Sequence, residues 1–142
     1  MLDEMRKGPV RDTTRRFLAD AATAGLSVRV TMILGYPGER PSDVEASAAF
    51  LEENADRIER VALNRFALVT GSRLHRSIER EPAAFADLGA LRPNHRQALL
   101  DHQFAPAREP AYRRAVSRLL GAVHRINRRP IREAASEFEG VM

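Results

Sequence analysis

A chain of 142 residues with 44% hydrophobic content has the length of one ordinary domain, with enough apolar material for a core if its elements close on themselves. Its 23 basic and 19 acidic residues leave a net charge of +4, and the signs are mixed over most of the length, which argues against a dedicated nucleic-acid or acidic-lipid binder. The absence of cysteine excludes disulfides, thiolate catalysis and any thiolate-held metal for these residues.

The first residues, MLDEMRKG, carry no apolar run of signal-peptide length, and no stretch approaches the ~18 apolar residues of a membrane span, so a cytoplasmic protein is expected. From Asp12 to Ala24 the pattern predicts a helix. Asp12 or Thr13 would cap it, Phe17 and Ala21 would share a face, and Gly25 would end it. Val28 to Leu34 reads as a strand whose last four residues are nearly all apolar, the pattern of a strand covered on both faces. The run Gly35 to Pro41 breaks it. A second helix is expected from Ser42, with Glu45 completing a capping box and Val44, Ala48, Leu51, Ala55 and Ile58 forming one stripe. Val61, Leu63, Phe66, Leu68 and Val69 make a second strand, stopped at Thr70-Gly71-Ser72. A connection this long between strands implies a βαβ crossover with parallel strands, right-handed by the general rule.

Beyond Ser72 the prolines at 82, 93, 106 and 110 leave room for short helices only, such as Asn94 to Phe104. The last clear element is a helix from Ala111 to Arg129. Its apolar stripe is Tyr112, Val116, Leu119, Leu120, Val123 and Ile126, with Arg114, Arg118, Arg125 and Arg128 on the other side, and a short amphipathic tail follows Pro130.

In sheets of parallel strands, ligands collect at the carboxyl ends, where loop amides and helix N-termini point. Gly35 and Gly38 would let a planar or anionic group approach the main chain there, with Pro37 holding the turn rigid. A plain tight turn between strand and helix is the competing explanation.

Three segments, Leu2-Asp3-Glu4-Met5-Arg6-Lys7-Gly8, the helix ending in Ala24-Gly25, and Val30-Thr31-Met32-Ile33-Leu34-Gly35-Tyr36-Pro37-Gly38-Glu39, occur in the order and spacing of the second half of radical S-adenosylmethionine enzymes. Over residues 1 to 75 the chain resembles that family, and most of all the subgroup whose members often carry a cobalamin-binding domain. The resemblance implies an α/β fold: the C-terminal part of a partial (β/α)6 barrel over residues 1–75, followed by a helical extension over 76–142. It also implies that Ile33, Gly35, Tyr36, Gly38 and Glu39, ending one barrel strand, and Leu68, Val69 and Thr70, ending the next, lie on the cofactor side, with Ile33 and Gly35 supporting the adenine of S-adenosylmethionine. Thr31 replaces the glycine usual at the start of that strand motif, and Glu39 stands one place later than its usual carboxylate. No side-chain catalysis is implied for these residues.

The family's C-x-x-x-C-x-x-C loop, which holds a [4Fe-4S] cluster, has no counterpart, and four of six expected strands are missing. The expectation is therefore a piece of a radical enzyme, inactive alone: a truncated product, a misplaced start, or one half of a split protein. The complete enzyme would cleave S-adenosylmethionine with its cluster, with cobalamin as the further cofactor the subgroup resemblance implies, to modify or methylate a small-molecule substrate. Two parallel strands alone would leave open edges and an uncovered helix stripe, so the missing half of the barrel is the expected partner. The alternative is a non-catalytic helical module whose basic last helix binds a protein or nucleic acid. Stacking aromatics for nucleic acid are sparse.

Other residues carry less. His95 and His102, seven apart, would share a helix face near Asp101, but without a close ligand set they read as solvated residues. His75 and His124 stand alone. Arg65 and Arg73 flank the second strand's end, where they would meet a carboxylate or phosphate or simply face solvent.

Overall fold

The protein is described from a computed structural model over residues 11–131. The segment Leu2 to Gly8 and the tail beyond residue 131 lie outside the described residues. Helix α1 (Arg11–Thr23) is followed by strand β1 (Arg29–Leu34), helix α2 (Pro41–Glu53) and strand β2 (Arg60–Arg65), and β1 and β2 pair in parallel with Val30 opposite Val61 and Leu34 opposite Arg65. Then come β3 (Leu68–Val69), α3 (Arg73–Arg80), β4 (Arg92–Asn94), β5 (Leu99–Asp101) and α4 (Pro110–Asn127). The small strands form a separate antiparallel sheet in the order β3-β5-β4.

Helix α1 ends as its composition predicts. Gly25 adopts a positive φ of 73°, Leu26 N–H donates to Ala21 C=O (2.8 Å) and Gly25 N–H to Ala22 C=O (3.1 Å), the paired bonds of a Schellman stop. Its buried face is Leu18 and Ala21, whereas Phe17 is 59% exposed, which corrects the expected pairing of Phe17 with Ala21. The start of α2 also differs from the expected Ser42–Glu45 box. The fixed φ of Pro41 suits the first helical position, and the Asp43 carboxylate accepts the Arg40 N–H at 2.9 Å.

Along β1 the exposure alternates. Val30, Met32 and Leu34 pack on the core while Arg29, Thr31 and Ile33 face outward, so one sheet face is covered where two were expected. The covering layer is α2 and α4. Val44, Ala48 and Leu51 of α2, Ile58 beyond it and Val61 of β2 are buried with Tyr112, Ala115, Leu119, Ala122 and Ile126 of α4 in one cluster. The spacing of those α4 residues gives one helical face. Its alanines at 115 and 122 permit a close approach, while burying Leu119 and Ile126 contributes about 1.5–3 kcal/mol each. The apolar faces of α2 and α4 thus cover each other, where an uncovered helix stripe was expected.

Helix α4, 18 residues long, runs about 27 Å and so spans the length of a six-residue strand, about 20 Å. At its carboxyl end the Asn127 side chain mimics a strand: Oδ1 accepts the Val61 N–H and Nδ2 donates to the Val61 C=O, both at 2.8 Å. Arg129 donates to the Ile58 C=O, and Arg60 donates to the Arg129 C=O at 2.9 Å. On its flank Arg118 pairs with Glu45 and Glu52 (2.6 Å each) and Arg125 with Glu52 (2.9 Å) of α2.

Two further expectations are corrected. The apolar run from Val61 to Val69 is not one strand: the chain leaves the parallel sheet after Arg65, and Leu68-Val69 pairs instead with Leu99-Leu100. Asn94 to Phe104 is a hairpin arm, not a helix. Pro93 sits without penalty on the edge strand β4, Ala98 takes a positive φ of 53° in the connecting turn, and Leu100 enters a second core with Leu68, Ile78 and Leu88. Phe104 touches both cores. No helix among the described residues is long and apolar enough to cross a membrane.

Candidate functional site

Parallel pairing brings the carboxyl ends of β1 and β2 to one rim. There the chain turns through Gly35 and Gly38, both at positive φ (84° and 80°), conformations that a Cβ would strain, and the Glu39 N–H closes the turn on the Tyr36 C=O at 2.9 Å. Phe66, just past β2, donates its N–H to the Leu34 C=O at 2.8 Å, and its ring meets Tyr36 edge-on with centroids 5.2 Å apart. The His102 ring lies tilted against Phe66 with centroids 5.6 Å apart, and Phe104 meets Tyr112 edge-on at 5.4 Å.

Glu39 is the pivot of this turn. Its side chain folds inward, and the residue is only 4% exposed. One oxygen, Oε2, accepts the Gly35 N–H at 2.7 Å and the Tyr112 hydroxyl at 2.5 Å. Burial pushes the Glu39 carboxyl above its ordinary value. The bonds from Tyr112 and Gly35 oppose that shift, and Asp43 adds to it. The Tyr112 hydroxyl is in turn pushed well above the usual phenol range, first by burial and then by its bond to the carboxylate. A βα turn and a helix 73 residues later are thereby fastened by one short bond between buried groups.

The second amide of the turn is engaged as well: Gly38 N–H donates to Asp87 Oδ2 at 2.7 Å. Both glycine amides of the turn are thus held by carboxylates of the chain itself. The anion-cradling use of these amides allowed by the sequence is therefore ruled out in this conformation.

Of the sequence-predicted residues, the structure brings Gly35, Tyr36, Gly38 and Glu39 together in the turn. Ile33, 39% exposed, lies two residues back on the open sheet face. Leu68, Val69 and Thr70 lie elsewhere: Leu68 is buried in the second core, Val69 is exposed, and the Thr70 N–H donates to the Ala98 C=O at 2.9 Å. From that stretch the residue that meets the turn is Phe66. Gly71, Ser72 and His75 build the start of α3, with Ser72 Oγ accepting the His75 N–H at 3.1 Å and His75 Nδ1 accepting the Gly71 N–H at 3.0 Å. His95 is exposed in the hairpin turn, away from any helix face shared with His102, and no group of metal-ligating side chains occurs among the described residues. Arg65 ends β2 and Arg73 begins α3.

Sequence reasoning missed Tyr112 and Asp87 as partners of the turn. A hydroxyl at the head of an otherwise aliphatic stripe was the available signal for Tyr112, since a buried tyrosine needs an acceptor. Nothing local marks Asp87.

No protein-family profile and no solved structure matches the chain. Curated relatives do. The ribosomal protein uS12 methylthiotransferase RimO of Flavobacterium psychrophilum is 40% identical over 55 residues, 37% of this chain and 13% of that protein. RimO of Roseiflexus sp. (strain RS-1) is 38% identical over 73 residues, 50% of this chain and 15% of that protein, and RimO of Opitutus terrae is 35% identical over 77 residues, 51% and 16%. The chain thus spans about a sixth or less of the length of the relatives it matches. These relatives are radical S-adenosylmethionine methylthiotransferases, and the likeness of the matched part of this chain to them supports that superfamily.

Proposed function

We propose that this chain forms the last two strands of a radical S-adenosylmethionine barrel and acts together with a cluster-bearing portion that completes it. The observation that carries the reading is the one-sided cover of the β1–β2 sheet. Helices α2 and α4 lie on the face of Val30, Met32, Val61 and Leu63, while Thr31, Ile33, Ala62 and Asn64 share the other face, exposed. In a barrel of parallel strands the helix-covered face is the outside, so the bare face would line the interior. Helix α4 then takes the place of the helix following the final strand, and the β3-β5-β4 layer is an insertion ahead of it.

For S-adenosylmethionine the residues fit. Ile33 offers an apolar surface at the carboxyl end of the bare face, and Gly35, without a side chain, begins the adjoining turn. The cofactor would supply the 5′-deoxyadenosyl group. What this chain contributes is a platform for adenine, held in place by Glu39 and Tyr112. For the [4Fe-4S] cluster the residues do not fit, because thiolate donors are absent from the whole sequence. Cobalamin belongs to the subgroup resemblance only and supplies no step here. The relatives' names make methylthio transfer to a ribosomal protein the first reaction class to test. The alternative of a basic helix binding a partner is weakened by the engagement of Arg118 and Arg125 with Glu45 and Glu52.

The test is to express this chain with a C-x-x-x-C-x-x-C protein encoded in frame or beside it and to measure 5′-deoxyadenosine formation by mass spectrometry. Activity that requires both chains supports the proposal. Failure of the two to associate, or full activity of the cluster-bearing chain by itself, overturns it.

A further inference from the structure

We infer that a groove on the helix side of the rim is a binding site for a small organic anion: an oxyanion head group on an apolar body. The groove, about 520 Å³, lies between the end of β2, the segment leading from β5 into α4, and α4 itself. That volume suits a small-molecule site, and so does its position at the seam between the two cores. Its apolar lining includes Phe66, Phe104 and Leu120, and its polar lining includes Arg65, Arg113 and His102.

Two features set it apart from ordinary surface. The first is Arg65. By the alternation of β2 it follows Val61 and Leu63 on the helix-covered face, a place otherwise given to core residues. Arg113 opposes it from α4. Neither guanidinium makes an ion pair or side-chain hydrogen bond among the described residues, whereas Arg118 and Arg125 of the same helix are paired with Glu45 and Glu52. No acidic side chain lines the groove, and the nearby Glu39 carboxylate is turned inward onto Gly35 and Tyr112. Guanidinium groups in this setting select carboxylate or phosphate, whose oxygens match their fork.

The second feature is Leu120, 51% exposed beside the buried Leu119. It stands over the edge of the groove with Phe66 and Phe104, an apolar surface that a ligand body would cover. His102 bonds the Leu100 C=O through Nδ1 (3.2 Å), which orients its ring against Phe66. Because the groove faces the helix layer, opposite the bare sheet face, this inference does not depend on the barrel reading.

The test is a nitrogen-15 NMR titration of the full chain with 3-phenylpropionate, phenyl phosphate and the neutral 3-phenyl-1-propanol. Saturable shifts at Gly35, Phe66, His102 and Ser117 are expected with an anionic probe, at least about tenfold tighter than with the alcohol. The better of the two anions identifies the head group. Arg65→Ala and Arg113→Ala should each weaken binding about fivefold or more with the remaining spectrum unchanged, and Leu120→Ala should weaken all three probes alike. Absence of saturable shifts, equal binding of the alcohol, or indifference to both arginine substitutions overturns the inference.

Discussion

Tyr112→Phe keeps the ring that packs on Phe104 and removes only the hydroxyl that donates to Glu39. The Glu39 carboxylate then retains the Gly35 N–H as its nearby donor, in a place where it is 4% exposed. A buried hydrogen bond to a charged group is worth about 1.5–3 kcal/mol, so the variant should lose that much stability where Glu39 is ionised. The sign of the pH dependence follows from burial, which already raises the folded-state value of Glu39 above its ordinary one. Such a group contributes most below its unfolded value, and the contribution is lost as pH rises through the folded one. Removing the Tyr112 donor raises the folded value further. The loss in Tyr112→Phe should therefore be largest near neutral pH and shrink toward the acid side, where a protonated carboxyl tolerates a missing donor. Urea unfolding followed by far-ultraviolet circular dichroism at several pH values measures it. A loss below about 0.5 kcal/mol at neutral pH, or one that grows on acidification, refutes the assignment of Glu39 and Tyr112 as the fastening between turn and helix.

Asn127→Ala removes both bonds to the Val61 backbone and should speed amide exchange at Val61 more than at Val30, with a stability loss of about 1–3 kcal/mol. Leu119→Ala, at a residue 2% exposed, should cost about 2–5 kcal/mol in the same unfolding assay, whereas Leu120→Ala, at one 51% exposed, should stay within about 0.5 kcal/mol of wild type. Arg118→Ala should move the Glu52 carboxyl, held low chiefly by its bond to Arg118, back toward the ordinary carboxylate range, observable by carbon-13 NMR titration.

The strand, turn and helix from Arg29 to Glu53 were legible from alternation in β1, glycines where φ must be positive and a helical stripe from Val44 to Leu51, but the two-sided cover expected of β1 was not found, and the stripe expected to run on through Ala55 and Ile58 stops where α2 ends at Glu53. What failed did so for want of long-range information. Phe66 to Val69 continues the apolar run of β2, and nothing local reveals that Leu68 pairs with Leu100 instead of extending the parallel sheet. Ala98 to Leu100 favours a helix by propensity, yet the second core takes these residues as an edge-to-edge hairpin. In α4 the six apolar positions read as one stripe were partly misplaced, because alanines 115 and 122 carry the contact and Leu120 does not. Of the site, the glycine turn was readable, but the partners that fix it, Tyr112 and Asp87, come from distant segments.

The central claim is that the sheet face carrying Thr31 and Ile33 is bare in this chain and covered in the working assembly. Since the sequence has no cysteine, a single introduced thiol reports on one position. Thiol labelling rates of Ile33→Cys and Met32→Cys, with and without the cluster-bearing chain, are the most direct measurement. Labelling should be rapid at position 33 and slow at 32, with protection of 33 when the second chain is added; rapid labelling at 32 alone, or no protection of 33 on association, would contradict the barrel assignment.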